Sequence, residues 1–162
     1  MSYTLDNLCD DARASLKLKP GYEGRDECRR HLEKLLSDKV FVAKYGGPDA
    51  KVGKEVIYSD VELGFTVINL VSQAERVESP PHDHGDSWAI YGQATLHTAM
   101  RDWVLDDGAV AKPVKEYRLE PGQAHLYDVG DIHSIHPAGN CHYVRIAGTP
   151  EDAFNPVGPA PE

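Results

Sequence analysis

The sequence predicts a small all-β domain, a sandwich or closed barrel, with helices in front of it. Three observations carry that expectation. From about residue 40 onward the chain is a series of short stretches rich in β-branched and aromatic residues. Turn signals separate them, among them Asp106-Asp107-Gly108, Glu120-Pro121-Gly122 and Val129-Gly130-Asp131. No helical period alternates with the strands, so a βαβ winding is excluded, and 162 residues make one domain by length.

Leu5, Leu8, Ala12 and Leu16 recur at close to a helical period, predicting a helix over Thr4 to Leu18 that Pro20-Gly21 ends. A second helix is expected from about Asp26 to Ser37, with Asp26 as N-cap. Its apolar stripe is Cys28, His31, Leu32, Leu35 and Leu36, with His31 read as a packed or surface residue. These two helices should cover one side of the β domain. Strands are expected at Val40-Phe41-Val42, Glu55 to Tyr58, Gly64 to Val71, Trp88 to Met100, Trp103 to Leu105, Val114 to Leu119, Ala124 to Asp128 and Cys141 to Ala147. The tail from Thr149, with Pro150, Pro156, Pro159 and Pro161, reads as too proline-rich for ladder pairing and so as an extended surface arm or a fraying end. The organisation expected is a helical segment over 1–38, a barrel over 39–149 and a tail over 150–162.

Charge and composition narrow the function classes. A net charge of −9 without a Lys/Arg run argues against a nucleic-acid partner. No apolar run is long enough to span a bilayer, and the polar start Met1 to Asp10 has no h-region of a secretory signal. Cys9, Cys28 and Cys141 form no CxxC spacing and read as free thiols in a reducing, cytoplasmic setting, with Cys141 buried and inert.

Chemistry concentrates in Pro80-Pro81-His82-Asp83-His84-Gly85-Asp86-Ser87-Trp88. On a strand, alternate side chains share a face, so His82 and His84 converge as two-thirds of a three-ligand metal site. His133, which follows the Gly130 turn, is the preferred third member over His136. His125 shares parity with Tyr127 and is a further candidate for the cavity, whereas His97 and His142 read as packed or surface residues. Tyr91 and Tyr143 are candidate pocket acids or hydrogen-bond donors, and Arg145 or Arg101 a candidate fork for a carboxylate. Asp86 either orients a ligand histidine or is solvated in its loop, and Trp88 either walls the cavity or packs outside it.

The His-x-His pair, and the later run Glu120-Pro121-Gly122 through Gly130 to His133, resemble the two motifs of the cupin family. That resemblance implies a double-stranded β-helix, a jelly-roll barrel, over about residues 40–148, with His82, His84 and His133 as metal ligands. Where most cupins place a glutamate ligand, this chain has Trp88. In that respect His82-Asp83-His84-Gly85-Asp86-Ser87 is similar to the motif of cysteine dioxygenases and related thiol dioxygenases, which bind iron through three histidines. The resemblance implies an Fe(II) dioxygenase that oxidises a small thiol or other small anion with O2, paired as a homodimer through sheet edges. Alternatives are a lyase or isomerase using Zn, Mn or Ni with a tyrosine base, and a non-catalytic metal- or ligand-binding cupin. Departures count against cysteine itself as substrate. Ala89 removes the crosslinking cysteine, Tyr143-Val144-Arg145 stands where the family has its Ser-x-His-x-Tyr strand, and no arginine lies between Arg30 and Arg76.

Overall fold

The computed structural model describes residues 2–108, 110–149 and 153–161; Met1, Pro150 and Glu162 of the stretches named above lie outside them. Thr4 caps helix α1 (Leu5–Leu18) through a capping box, its hydroxyl accepting from the Asn7 amide while Asn7 Oδ1 accepts from the Thr4 amide. Helix α2 (Tyr22–Leu36) starts earlier than the sequence suggests, from Gly21, with no side-chain cap. Asp26 is therefore not an N-cap. It lies inside the helix, where its carboxylate takes the Arg29 guanidinium at 2.7 Å and that of Arg30 at 3.5 Å.

A third helix, α3 (Lys39–Gly46), replaces the strand expected at Val40-Phe41-Val42. Asp38 Oδ1 accepts from the amides of Val40 and Phe41 at 3.0 and 2.9 Å, which fixes a helix start. The turn that follows buries Phe41 and leaves Val40 in solvent, so the β preference of the two valines is overridden by one cap and one docked ring.

Among the described residues ten strands follow: β1 (Gly53–Asp60), β2 (Phe65–Val71), β3 (His82–Asp83), β4 (Ala89–Thr95), β5 (Thr98–Asp106), β6 (Val110–Leu119), β7 (Ala124–Tyr127), β8 (Ile132–Pro137), β9 (His142–Ala147) and β10 (Asn155–Pro156). They form two antiparallel five-stranded sheets, ordered β1-β2-β9-β4-β7 and β10-β3-β8-β5-β6. The fold is the expected double-stranded β-helix, with three helices rather than two among the described residues. Trp88 to Met100 is not one strand but two, divided at Leu96, whose φ of 56° turns the chain.

Strand alternation separates two cores. On β4 and β9, Ile90, Val144 and Ile146 face the helices and pack with Leu8, Leu32, Leu35, Leu36 and Phe41. Gly92 makes that approach close: a Cβ there would sit 2.5 Å from Leu36 Cδ1 and 2.8 Å from Leu32 Cδ2. The opposite face of the same strands presents Ala89, Tyr91 and Tyr143 to Met100, Leu119 and Tyr127 between the sheets. That inner core is the one that holds the polar groups.

His142 illustrates a buried histidine with a structural role. It is 1% exposed, and its Nε2 lies 2.6 Å from Asn69 Oδ1, whose amide in turn donates to Tyr45 O. Burial lowers its pKa from 6.5 to about 4. The unfolded chain therefore binds a proton that the native state refuses, and stability falls as pH drops from 6.5 towards 4. The loss from this group is about 3 kcal/mol at the acid end. Denaturant titrations at pH 7, 5.5 and 4.5 should show it, and His142→Gln should flatten the slope.

Candidate metal centre

Strand β3 is two residues long, and its register sets the site: His82 lies opposite His133 of β8. Gly85, at a φ of 60°, then turns the chain, with the Ser87 amide bonded to His84 O at 3.0 Å. That turn resets strand parity. Trp88 consequently faces the helices beside Arg25 instead of walling the inner cavity, while Ala89 and Tyr91 point inward. On β8, His133 and Ile135 share the inner face with Asp102 and Met100 of β5, whereas His136 pairs with Ala99 on the outer face and lies 3.3 Å from Glu75. Strand parity thus separates His133 from His136.

The structure brings His82, His84 and His133 together, one ring nitrogen of each lying within 4.8 Å of the others. All three are buried, at 3%, 7% and 0% exposure. Among the described residues, no carboxylate or thiol joins them. Two of the rings are oriented by backbone carbonyls: His82 Nδ1 donates to Pro80 O and His84 Nδ1 to Ala153 O, each at 2.8 Å. A carbonyl only accepts, so Nδ1 carries the proton and Nε2 keeps its lone pair free to bind a metal. His84 Nε2 and both His133 nitrogens are buried without a hydrogen-bond partner. Burial lowers all three pKa values, that of His82 to about 4, and the Arg145 charge adds to the effect at His82 and His84. Neutral imidazoles with orphaned, convergent nitrogens are the donor set of a divalent transition metal, not of Mg or Ca, which take oxygen ligands. This histidine group fits a metal ion.

The surrounding wall is aromatic. Tyr127 stacks on His133 with ring centroids 3.8 Å apart, and Tyr91 meets the same ring edge-on at 5.5 Å. Tyr127 is hydrogen-bonded to Tyr117, which donates to Asp102 Oδ1 at 2.9 Å; Tyr127 must therefore be the donor to Tyr117. His125 faces this cluster, 4.6 Å from the Tyr127 ring, but lies outside the histidine triplet. Arg145 stands opposite Tyr91 in register, and its Nη1 approaches the Tyr91 hydroxyl at 3.5 Å. Tyr143 is buried between Gln93 and Leu70, its phenol pushed up to about 12 chiefly by burial. Arg101 is not part of this wall: it pairs with Glu78 and Glu116 at 3.5 and 3.1 Å, and both it and Glu78 line an outer groove. Asp86 is exposed and orients no ligand; the two carbonyls do that instead.

The tail is the part that sequence reasoning missed. Asn155 and Pro156 pair with Asp83 and His82, against the expectation that its prolines forbid a ladder. As the outermost strand of its sheet, β10 has a side that needs no donor, which is where proline is tolerated. Phe154 lays its ring 4.4 Å from that of His82. Nothing local in the sequence ties Ala153 to His84, 69 positions away. The inward phenols were within reach, because Tyr127 shares parity with His125 and Tyr117 lies opposite Met100.

No protein-family model and no curated protein matches the sequence. Among solved structures, the chain is similar to KdgF from Halomonas sp., at 12% identity over 61% of this chain and 79% of that one, with a TM-score of 0.48. It is similar also to an uncharacterized conserved protein with a double-stranded β-helix domain from Klebsiella pneumoniae, at 14% identity over 71% and 92% of the two chains, TM-score 0.45. A third is a cupin superfamily protein from Desulfitobacterium hafniense, at 11% identity over 60% and 77%, TM-score 0.44.

Proposed function

We propose that the protein is a mononuclear non-heme Fe(II) dioxygenase of the thiol-dioxygenase type, acting with O2 on a small thiol or other small anionic substrate. The observation that supports this reading is the meeting of three neutral imidazoles, with no carboxylate joining them among the described residues, on the inner side of the strands where Arg145 stands beside Tyr91. An all-histidine set leaves a divalent ion its full charge, which favours anions as further ligands. In this reading His82, His84 and His133 hold the iron. Iron(II), when bound, would supply the redox chemistry with O2 and a Lewis-acidic position for the substrate.

The chain's own residues bind and orient. Arg145 takes the anionic group of the substrate, and Tyr91 acts beside it. Because Arg145 donates to the Tyr91 oxygen, the phenol proton is left to donate to that same group. Tyr143, held protonated by burial, is a hydrogen-bond donor on the same wall. That state makes Tyr143 a poor base for the rival lyase or isomerase reading. Met100 and Tyr127 close the wall against bulk water.

The test is metal analysis of untagged protein, followed by dioxygen uptake with thiols such as mercaptoacetate and 3-mercaptopropionate and with β-diketone-like acids. Stoichiometric iron with substrate-dependent oxygen loss is expected. Zinc, manganese or nickel with oxygen-independent turnover would replace the reading with a lyase or isomerase. Bound metal with no turnover would leave a binding protein.

A further inference from the structure

We infer that the C-terminal strand β10 is a working part of the metal centre: docking of residues 153–157 and metal binding at the three histidines are coupled, with Ala153, Phe154 and Asn155 as positioning residues. The inference rests on the histidine triplet being a metal site, as proposed above.

The argument starts from how little else holds the ligand strand. β3 has two residues, and on its inner side it makes one register pair, His82 with His133. On its other side it is held by β10, through Asn155 opposite Asp83 and Pro156 opposite His82. Asn155 Nδ2 donates to Asp83 Oδ1 at 3.0 Å, and the Val157 amide to Pro81 O at 2.8 Å. The two anchored ligands also differ in where their anchors come from. His82 is oriented by Pro80, two residues away, and keeps that carbonyl whatever the tail does. His84 is oriented by Ala153, so its tautomer and ring angle depend on the tail being in place. Phe154 covers the back of the His82 ring while remaining half in solvent.

Partners of this kind fix a ligating imidazole and raise its basicity, and losing one typically costs about 10- to 100-fold in metal affinity. Coupling is reciprocal: whatever factor the docked strand adds to metal affinity, bound metal adds to the docking of the strand. Metal should therefore hold this strand more firmly against β3.

The test uses the full-length protein and cobalt(II) alone, whose absorption reports coordination geometry. Phe154→Ala and Asn155→Asp are expected to weaken cobalt binding by roughly tenfold or more. In the unaltered protein, cobalt should slow hydrogen exchange at the Val157 amide. The amides of β4 and β9 serve as the fold control and should be unchanged by either variant. Equal cobalt affinity in all three proteins, with Val157 exchange indifferent to cobalt, overturns the coupling and leaves the metal site standing. Failure of the unaltered protein to bind cobalt overturns the metal reading itself, and the coupling with it. If Phe154→Ala disturbs the core amides, Asn155→Asp and the exchange measurement still decide.

Discussion

His133→Phe is expected to abolish stoichiometric metal binding while leaving the protein folded. His133 is fully buried, stacked on Tyr127 and 4.5 Å in centroid separation from His82, and both of its nitrogens lack a partner. Phenylalanine keeps a planar ring in that slot and removes the orphaned nitrogens, so no buried polar group is left stranded by the change. Packing is preserved, and relief of an unpaired imidazole offsets part of any misfit. Thermal melting of the metal-free variant should therefore match or exceed that of the metal-free parent. Metal affinity should fall by more than the roughly 100-fold that loss of an orienting partner alone can cost, since a ligand itself is gone. Equilibrium dialysis against zinc(II) or iron(II) measures it. His136→Phe, on the outer sheet face beside Glu75, and His125→Phe, inside but outside the triplet, should both keep parental affinity. Retention of metal by His133→Phe, or its loss from His136→Phe, would reassign the centre.

The contrast between His133 and His136 shows which parts of this protein can be read from its residues. Period-two alternation carried the reading: it put 82 and 84 together, and it placed His125 beside Tyr127 on an inward face. The same rule failed at Trp88, because Gly85 inserts a turn with positive φ between the ligands and β4 and so breaks the count. It failed at Val40-Phe41-Val42 for a different reason. There two β-branched residues signalled strand, but an aspartate two residues ahead of the first supplied a helix cap. What no local pattern could supply are the long-range hydrogen bonds. Ala153 reaches His84 through its backbone, which has no side-chain signature, and the prolines that argued against pairing are compatible with the edge of a sheet.

Arg145 is the residue on which substrate binding should depend most. It sits on β9 directly across from Tyr91, with its guanidinium carbon 5.9 Å from the tyrosine ring, and its charge is felt at both His82 and His84. A cation acting on two of the three neutral imidazoles adds to the attraction of the site for an anion, and its planar fork matches a carboxylate. Removing the charged partner of a desolvated pair costs about 2–5 kcal/mol, roughly 30-fold to several thousand-fold in affinity. Arg145→Gln should therefore raise KM for a thiol carboxylate by at least roughly 30-fold, with metal content unchanged. Arg145→Lys keeps the charge and loses the fork, so it should recover only part of that loss. Tyr91→Phe removes a single neutral hydrogen bond worth about 1 kcal/mol and should raise KM only a few-fold. A neutral thiol of the same length, lacking the carboxylate, separates the two ways in which these variants can fail. It should be a poor substrate for the parent and no worse for Arg145→Gln, because the interaction deleted from the protein is already missing from the ligand. Equal impairment of charged and neutral thiols would instead mean that Arg145 supports the shape of the cavity and that the anionic group is held elsewhere.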